Sequence, residues 1–598
     1  MLAQTDLAYK LISFALLTPA TLLLLRWAMS RTGTVVVADT EIATFFLTTR
    51  QGLLAVVIVG AILTAITALE MACLMAIGLA AATGRHLTVT GALTFAASRA
   101  LSILRLAANI VARLLAGLVP GAAAIGVVYW ALLRDHDINF YLSQRPQEFV
   151  IAVSIAAVIV TALVGWLLSA IARWAAALPL VLFDDVSPRR ALAESRTRLT
   201  GHRGVAITAL AMWAALALAL LAAAAWVPDA IGRTLAPGFS GSMQALLGFM
   251  TGLVLLWVVL GLIAAVVNVS ILSMVLLRLY LRVADPRPAG AVPSLGAESW
   301  EGRRLSRAAR VAVIAVAILG TFGAVLVVFT VAKRNQAVAV IAHRGASAAA
   351  PENTMAAFQL AADLGADFVE LDVQESLDGE VVVVHDSDLM KIGGSPLKIW
   401  EAPAAALRAV DIGTHKGLQF AAERVPTLAE VLARLKGRAR VIVELKSYGH
   451  AQRLEERVVE IVEAAGAADR TIFMSLNHDM VRRLKQLRPA WRVGALVAKA
   501  VGDATAIEAD FLAVHAGMAD RAFVRRAHRA GREVYVWTVN DPAWMLASMA
   551  NGVDGLITDV PDLARDVVER RGHMSDSQRV LVALLVAMGA NTDALVAQ

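Results

Sequence analysis

Four short β-rich runs in the C-terminal half of the chain end in residues that could do chemistry. Together they supply two histidines, three acids and two cations. Because side chains alternate along a strand, the two acids of the second run share one face, as do the acid and the lysine of the fourth. Buried charges in such positions are favoured only where a metal or an anion neutralises them. The residues are His343, Arg344, Glu370, Asp372, His385, Glu444 and Lys446.

These residue types suit the cleavage of a phosphodiester. Three carboxylates with no cysteine nearby form an all-oxygen site, which favours a hard cation, Mg²⁺ or Ca²⁺, over zinc. Two histidines on separate strands can exchange protons near neutral pH. Arg344 and Lys446 match the negative charge of a phosphate. The sequence therefore predicts a divalent-cation site beside an anion clamp and two proton carriers.

The elements that must position these residues alternate between short strands and helices, which predicts a (β/α)8 barrel. Nine runs have strand character, one more than such a barrel requires. The connection 374–379 is too short for a crossover helix, so either the barrel is irregular there or one strand is an extra. Catalytic groups of such barrels come from the C-terminal ends of several strands. The candidate strands are 337–342, 367–373, 380–385, 440–446, 471–475, 492–497, 511–515, 533–537 and 555–558.

In order and spacing, separated motifs over about residues 337–572 resemble the glycerophosphodiester phosphodiesterase family. This chain departs from the family after His385, where Leu389 to Gly394 replace a frequent Arg-Thr-Thr stretch near the leaving-group side. The motifs are His343-Arg344-Gly345, Pro351-Glu352-Asn353-Thr354, Gly365-Ala366-Asp367, Glu370-Leu371-Asp372-Val373, Asp378-Gly379, His385-Asp386, Pro426-Thr427-Leu428, Glu444-Leu445-Lys446, Trp537-Thr538-Val539-Asn540, Gly552-Val553-Asp554-Gly555 and Thr558-Asp559.

The resemblance implies metal-dependent hydrolysis of glycerophosphodiesters to glycerol 3-phosphate and an alcohol. One histidine would deprotonate the neighbouring glycerol hydroxyl, which attacks phosphorus, and the other would protonate the departing alcohol. Water would then open the cyclic phosphate. The implied roles are divalent-ion ligands for Glu370, Asp372 and Glu444, acid-base catalysis for His343 and His385, phosphate binding for Arg344 and Lys446, and a wall of the glycerol pocket for Trp537.

Asn353 and Glu70 each have two interpretations. Asn353 either contacts the site or belongs to a turn that starts a helix. Glu70 lies within an apolar run, where an ionisable group is a functional candidate. A carboxylate that is hydrogen-bonded within a helix bundle is the favoured interpretation of Glu70.

The N-terminal half has the composition of a membrane domain. The whole chain is 58% hydrophobic and 17% charged, against about 25% charged in soluble domains. Residues 1–334 carry a net charge of +12 and the remainder −5, so the basic residues belong to the apolar half. This distribution favours membrane-flanking loops and a lipid bilayer as partner over a nucleic-acid surface.

Seven segments are long and apolar enough to span a bilayer. Alternate loops hold seventeen and five Lys/Arg residues, which predicts a multi-pass inner-membrane protein with everything beyond Lys333 outside. The stretch 90–112 is interpreted as an interfacial amphipathic helix. The predicted spans are 11–29, 52–82, 114–133, 149–172, 204–227, 244–277 and 311–332.

Three domains and three functions follow as hypotheses. Residues 1–334, with a linker at 283–310, form the membrane domain, 335–572 the barrel and 573–598 a tail too short to span. The first function is hydrolysis of glycerophosphodiesters. The alternatives are a phospholipase D-like enzyme that cleaves lysophospholipids, or a lipid-handling or transport protein with an accessory barrel.

Overall fold

The computed structural model describes residues 1–13, 36–38, 49–239, 242–283, 337–576 and 578–579. The chain divides into two compact units. One comprises residues 1–34, 43–128 and 153–325, and the other comprises 35–42, 129–152 and 326–598. The second unit therefore contains the C-terminal half together with two short pieces of the N-terminal half.

Five helices of the described residues are long and apolar enough to cross a membrane, which confirms five of the seven predicted spans as helices. The predicted spans 11–29 and 311–332 and the linker 283–310 lie almost wholly outside the described residues. The five helices are Arg50–Ala82, Ala100–Leu132, Gln147–Phe183, Arg203–Leu235 and Gly248–Val283. Shorter helices of the same half are Leu2–Ile12, Val89–Ser98, Ile138–Gln144 and Ala191–Arg198.

The single helix predicted at 90–112 is divided at Arg99 between two helices, and its interfacial position stays a prediction. A short helix ends at Ser98, and residues from Ala100 onward are continuous with the third predicted span. Two of the arginines in or beside this stretch have polar partners. Arg99 pairs with Asp185, and Arg113 donates to the amide oxygen of Asn109 one turn earlier. The break between the two helices thus falls at Arg99, whereas Arg105 and Arg113 lie inside the helix Ala100–Leu132.

Glu70 is buried and ion-paired within its helix bundle. Its Oε1 lies 2.5 Å from Nζ of Lys10, and the same ammonium also pairs with Asp6. The tyrosine one residue before this lysine donates its hydroxyl to the carbonyl oxygen of Ile66. These contacts agree with the structural interpretation of Glu70.

The C-terminal half forms a closed barrel of eight parallel strands, as predicted. The ring closes because the first strand pairs with both the second and the last. The strands are β1 (Ala339–Ala342), β2 (Phe368–Glu375), β3 (Arg440–Leu445), β4 (Thr471–Ser475), β5 (Val493–Val497), β6 (Phe511–His515), β7 (Glu533–Trp537) and β8 (Gly555–Thr558).

The ninth predicted strand is an extra. Val381–Val383 runs antiparallel to the end of β2, after a tight turn at Asp378 and Gly379. Gly379 has a φ of +82°, a left-handed conformation that glycine adopts without strain. A turn this short can join only antiparallel strands, which explains the missing crossover helix.

Helices surround the barrel, and threonine, asparagine or aspartate side chains cap the N-termini of five of them. Inside the barrel, Phe368, Ile442 and Phe511 belong to one buried apolar cluster. The same inward face of β2 and β3 carries acidic residues farther along each strand, so these sit above the apolar cluster. The main outer helices are Met355–Asp363, Leu428–Arg434, Leu454–Ala464, His478–Leu487, Arg521–Arg529, Pro542–Asn551 and Pro561–His573.

Candidate active site

The three predicted metal ligands meet at the C-terminal ends of β2 and β3. The strand register places Asp372 directly opposite Glu444, and Glu370 lies two residues earlier on the same face. One carboxylate oxygen from each residue lies within 4.8 Å of the other two, and all three side chains are buried. The sequence-based expectation that these acids converge is therefore confirmed.

Two cations lie against these carboxylates. Nε of Arg344 is 3.3 Å from Asp372 Oδ2, and Nζ of Lys446 is 3.2 Å from Asp372 Oδ1 and 2.6 Å from Glu444 Oε1. Arg344 also donates its backbone N–H to Glu370 Oε2 at 2.8 Å. Two positive charges thus face three carboxylates, so one negative charge remains without a cationic partner in this cluster.

The ionisation of the three acids reflects this imbalance. Burial, together with the charges of Asp372 and Glu444, raises the pKa of Glu370 well above its usual range. Burial also raises the pKa of Glu444 to about 7, although Lys446 opposes the shift. Burial acts in the same direction on Asp372, but Lys446, His385 and Arg344 hold the pKa of that carboxyl well below its ordinary value.

The donor set fits a hard divalent cation. Glu370 Oε1 is buried and has no hydrogen-bond partner among the residues that the structure describes. A buried carboxylate oxygen without a partner carries a desolvation cost that a bound cation would remove. Oxygen-only ligands with a residual negative charge suit Mg²⁺ or Ca²⁺. Glu370, Asp372 and Glu444 are thus the candidate ligands of that cation.

His343 follows β1 and is held by a carboxylate. Its Nδ1 lies 2.6 Å from Asp559 Oδ1, and Asp559 directly follows β8. Ser347 and Asn540 also donate to this carboxylate, at 3.0 and 2.6 Å. Burial acts to raise the pKa of Asp559, but these hydrogen bonds and the charge of His343 hold it well below its ordinary value. With Asp559 ionised, Nδ1 of His343 carries a proton and Nε2 is left for exchange.

His385 has the same arrangement with its neighbour. Its Nδ1 lies 2.6 Å from Oδ1 of the buried Asp386. Burial and the positive charge of Lys446 lower the pKa of His385. Burial opposes ionisation of Asp386, yet the hydrogen bond and charge of His385 lower the pKa of that carboxyl overall. Each predicted catalytic histidine is therefore one half of a histidine–aspartate pair.

The turn after β1 brings Arg344 and Asn353 to the acids. Asn353 is buried, donates to Asp372 Oδ2 at 2.8 Å and accepts the backbone N–H of Asp372. The next residue, Thr354, caps the helix Met355–Asp363. Both interpretations of this motif therefore hold, since Asn353 contacts the site and Thr354 starts the helix. A Cβ on Gly345 (φ +82°) would lie 2.6 Å from backbone carbon of Ala357, so the turn requires glycine.

Trp537 ends β7 on the same rim of the barrel. Its indole N–H donates to the carbonyl oxygen of Ala513 at 3.1 Å, which fixes the ring at the end of the strand. His515, at the end of β6, is exposed and stands perpendicular to this ring at 6.1 Å between centroids. The role of Trp537 as a wall of the glycerol pocket remains a prediction.

A cavity of about 350 Å³ is connected to Arg344 through two ion pairs. Lys391, in its lining, pairs at 2.7 Å with Glu352, which in turn pairs at 3.0 Å with Arg344. The lining combines the segment that departs from the family pattern with residues from a loop of the N-terminal half. The lining residues are Phe140, Gln144, Met390, Lys391, Ile392, Gly393, Gly394, Asp411, Thr414 and His415.

Sequence reasoning assigned no role to Asp559, Asp386 or Asn139. Asp559 directly follows strand β8, and Asp386 directly follows a histidine predicted to be catalytic, so the position of each aspartate was an available signal. Asn139 donates to Asp386 Oδ1 at 2.9 Å across 247 positions of sequence. Nothing in the local pattern around Asn139 indicates such a contact.

Comparisons with known proteins show sequence similarity over the barrel. Residues 343–563 match the model of the glycerophosphoryl diester phosphodiesterase family. A putative glycerophosphodiester phosphodiesterase of Bacillus subtilis is 31% identical over 230 residues, which are 37% of this chain and 95% of that protein. A glycerophosphodiester phosphodiesterase of Caldanaerobacter subterraneus is 31% identical over 239 residues, which are 39% of this chain and 98% of that protein.

Among solved structures, a phosphodiesterase of Oleispira antarctica in complex with its product sn-glycerol-3-phosphate is 30% identical, with a TM-score of 0.37. That match covers 39% of this chain and 96% of the other.

Proposed function

The chain belongs to the glycerophosphodiester phosphodiesterase family, and from this premise we propose that its barrel hydrolyses glycerophosphodiesters to glycerol 3-phosphate and an alcohol. The observation that carries the proposal is the convergence of three buried carboxylates within 4.8 Å at the end of the barrel. Two histidine–aspartate pairs and two cations accompany them. This set supplies every group that the reaction requires from the protein.

Proton transfer is the task of the two histidines. One imidazole takes the proton of the glycerol hydroxyl next to the phosphate, and that oxygen attacks phosphorus. The other imidazole gives its proton to the alcohol oxygen as the P–O bond breaks, which leaves a cyclic phosphodiester. In the second half the roles reverse, since a histidine deprotonates the water that opens the ring. Asp559 and Asp386 keep Nδ1 of each imidazole occupied, so that Nε2 exchanges the proton.

Charge stabilisation is the task of the cations. Arg344 is fixed by Glu352 and Asp372, so its remaining guanidinium N–H groups have a set direction for phosphate oxygens. Lys446 is buried against Asp372 and Glu444, and in this proposal its ammonium group also contacts the phosphate. When bound by the three carboxylates, a divalent cation supplies Lewis-acid stabilisation of the phosphoryl oxygens.

The N-terminal helices would hold the barrel at the outer face of the inner membrane. The loops 29–51 and 134–148 are poor in Lys and Arg and are predicted to lie outside, as is the barrel. In support, residues 35–42 and 129–152 belong to the same compact unit as the barrel. A cysteine placed at exposed Leu418 of a Cys73→Ala chain should react with a membrane-impermeant thiol reagent in intact spheroplasts. Labelling only after lysis would place the barrel in the cytoplasm.

Turnover by the full-length protein in detergent tests the function. Purified protein with Mg²⁺ or Ca²⁺ should release glycerol 3-phosphate from glycerophosphocholine, and Glu370→Ala or His343→Ala should abolish this release with the fold intact. Activity only on lysophosphatidylcholine would favour the phospholipase D-like alternative. Absence of turnover on both substrates would remove the proposal. Retained activity in either variant would remove the site assignment.

A further inference from the structure

The segment 134–146 joins two of the long apolar helices, yet it packs in the same compact unit as the barrel. We call these residues the docking segment. Its short helix, Ile138–Gln144, begins at Asp137, whose side chain accepts the backbone N–H of Asn139 at 3.0 Å. This cap fixes the first turn, so the side chains of that turn have a defined direction.

Three polar contacts attach the docking segment to the barrel. His136 Nδ1 lies 2.6 Å from Oδ2 of the buried Asp388. Asn139 donates to Asp386 Oδ1 at 2.9 Å. Asp137 Oδ2 lies 3.3 Å from the hydroxyl of Tyr448. All three barrel residues lie within three positions of His385 or contact its backbone, so the attachment is confined to one part of the catalytic rim.

The contact of Asn139 differs from the other two because a single atom, Asp386 Oδ1, links it to the imidazole of His385. Asp386 Oδ1 accepts from both the Asn139 amide and Nδ1 of His385. The backbone around the histidine is already fixed, since Gln374 donates to the carbonyl oxygens of His385 and Asp386 at 3.1 and 2.8 Å. These backbone contacts do not fix the rotation of the Asp386 side chain. Its other oxygen is buried without a hydrogen-bond partner in the described part of the chain.

We propose that Asn139 is a positioning residue of the catalytic site, which orients the Asp386 carboxylate so that this carboxylate aims His385. The inference rests on the proposed function and extends it to a segment outside the barrel sequence. A carboxamide is suited to this task because it donates a hydrogen bond without adding a charge beside the histidine–aspartate pair. The catalytic unit of this chain is thus the barrel together with the docking segment.

Loss of the Asn139 side chain should lower the catalytic rate constant and change substrate binding little. Asn139 touches neither the cation cluster nor Arg344, so its loss leaves substrate binding in place. A hydrogen bond to a charged group, when lost, changes a rate by about ten-fold or more if it acts in the transition state. Asn139→Ala should therefore lower kcat about ten-fold, with KM changed by less than about two-fold.

Steady-state kinetics of the full-length protein on glycerophosphocholine with Mg²⁺ provides the test. Ser143→Ala is the matched control, since Ser143 is an exposed residue of the same helix whose hydroxyl bonds only locally, to the carbonyl oxygen of Phe140. The control should retain wild-type kcat. A kcat of Asn139→Ala equal to that of the control would overturn the proposal, and so would a loss confined to KM.

A double-mutant cycle separates positioning from general damage to the fold. If Asn139 acts only through Asp386, then Asn139→Ala should cause no further loss of kcat in an Asp386→Ala background, where the accepting oxygen is absent. A further ten-fold loss in that background would show another route of action and overturn the proposal. Asn139→Asp keeps the side-chain volume but sets an acceptor against the Asp386 carboxylate, so it should lower kcat at least as far as alanine does. Wild-type turnover of Asn139→Asp would contradict the inference.

Failure of the proposed function and failure of the positioning role of Asn139 give different kinetic results. If the wild-type chain does not hydrolyse glycerophosphocholine or lysophosphatidylcholine, the proposed function falls before Asn139 is tested. If the wild-type chain is active and loses activity in Glu370→Ala, but Asn139→Ala and Asn139→Asp turn over normally, only the positioning role falls.

Discussion

Replacing Asp559 with asparagine should disable His343 while it leaves the barrel folded. The carboxylate accepts from His343 and Ser347 on Oδ1 and from Asn540 on Oδ2. An asparagine offers one acceptor oxygen and one donor group. Asn540 cannot turn to compensate, because its own oxygen accepts from the Thr558 hydroxyl and from the backbone N–H of residue 559. In either orientation, the amide N–H group of the new side chain therefore points at another hydrogen-bond donor.

The size of the effect follows from these contacts. Two hydrogen-bond donors that face each other lower the free energy of unfolding by about 1–3 kcal/mol. If the amide group turns toward His343, Nδ1 must act as the acceptor and the imidazole takes the wrong tautomer for exchange at Nε2. Correct placement of a general acid or base contributes about 10²–10⁴-fold to a rate, so kcat of Asp559→Asn should fall within that range.

The assay is steady-state release of glycerol 3-phosphate, with thermal unfolding of the same samples. Because the pKa of Asp559 is lowered in the fold, its stabilising contribution is present above about pH 4 and is lost as the pH falls further. The stability difference between wild type and variant should therefore shrink in acid.

A matched control is Asp554→Asn, which alters another histidine–aspartate pair, with His528, away from the catalytic rim. This control should lose stability and keep kcat. Wild-type kcat in Asp559→Asn would refute the assignment of His343.

Four further predictions concern the cation cluster and Arg344 beside it. Saturating Mg²⁺ or Ca²⁺ at about 100 times Kd should stabilise the wild type by about 2.7 kcal/mol, and Glu370→Gln should lose that gain without losing metal-free stability; an unchanged gain would exclude Glu370 as a ligand. Ion affinity measured by calorimetry should fall as the pH drops below 7, by up to about ten-fold per pH unit for each proton that must leave, because the pKa values of Glu444 (about 7) and Glu370 are both raised; pH-independent affinity would contradict this. Metal-free stability should fall as pH rises from 4.5 to 7, since the folded state binds the Glu444 proton more tightly. Arg344→Lys cannot reach both Glu352 and Asp372, so kcat/KM should drop about 10–100-fold, whereas a change under two-fold would remove Arg344 from phosphate binding.

The convergence of the candidate metal ligands was predictable because strand geometry is local. Glu370 and Asp372 share a face by alternation, and their position near a strand end places them at the C-terminal rim of the barrel. The sequence does not decide whether the barrel is irregular at 374–379 or one strand is an extra. The antiparallel pairing of Val381–Val383 with the end of β2 decides for the extra strand.

Other features depend on contacts that sequence does not encode locally. Arg99, Arg105 and Arg113 lie in or beside the stretch 90–112, but only Arg99 marks a break between helices, and the other two lie inside the helix Ala100–Leu132. Asn139 is an ordinary polar residue of a loop until the fold brings it to Asp386. Such a contact follows only from the packing of a segment that lies far away in the chain.

Anomalous diffraction from crystals of the full chain grown with Ca²⁺ can locate the bound ion. We expect one ion with oxygens of Glu370, Asp372 and Glu444 at about 2.3–2.6 Å, and loss of that ion in Glu370→Gln crystals. An ion bound elsewhere in an active protein, with these three carboxylates still paired only to Arg344 and Lys446, would contradict this expectation.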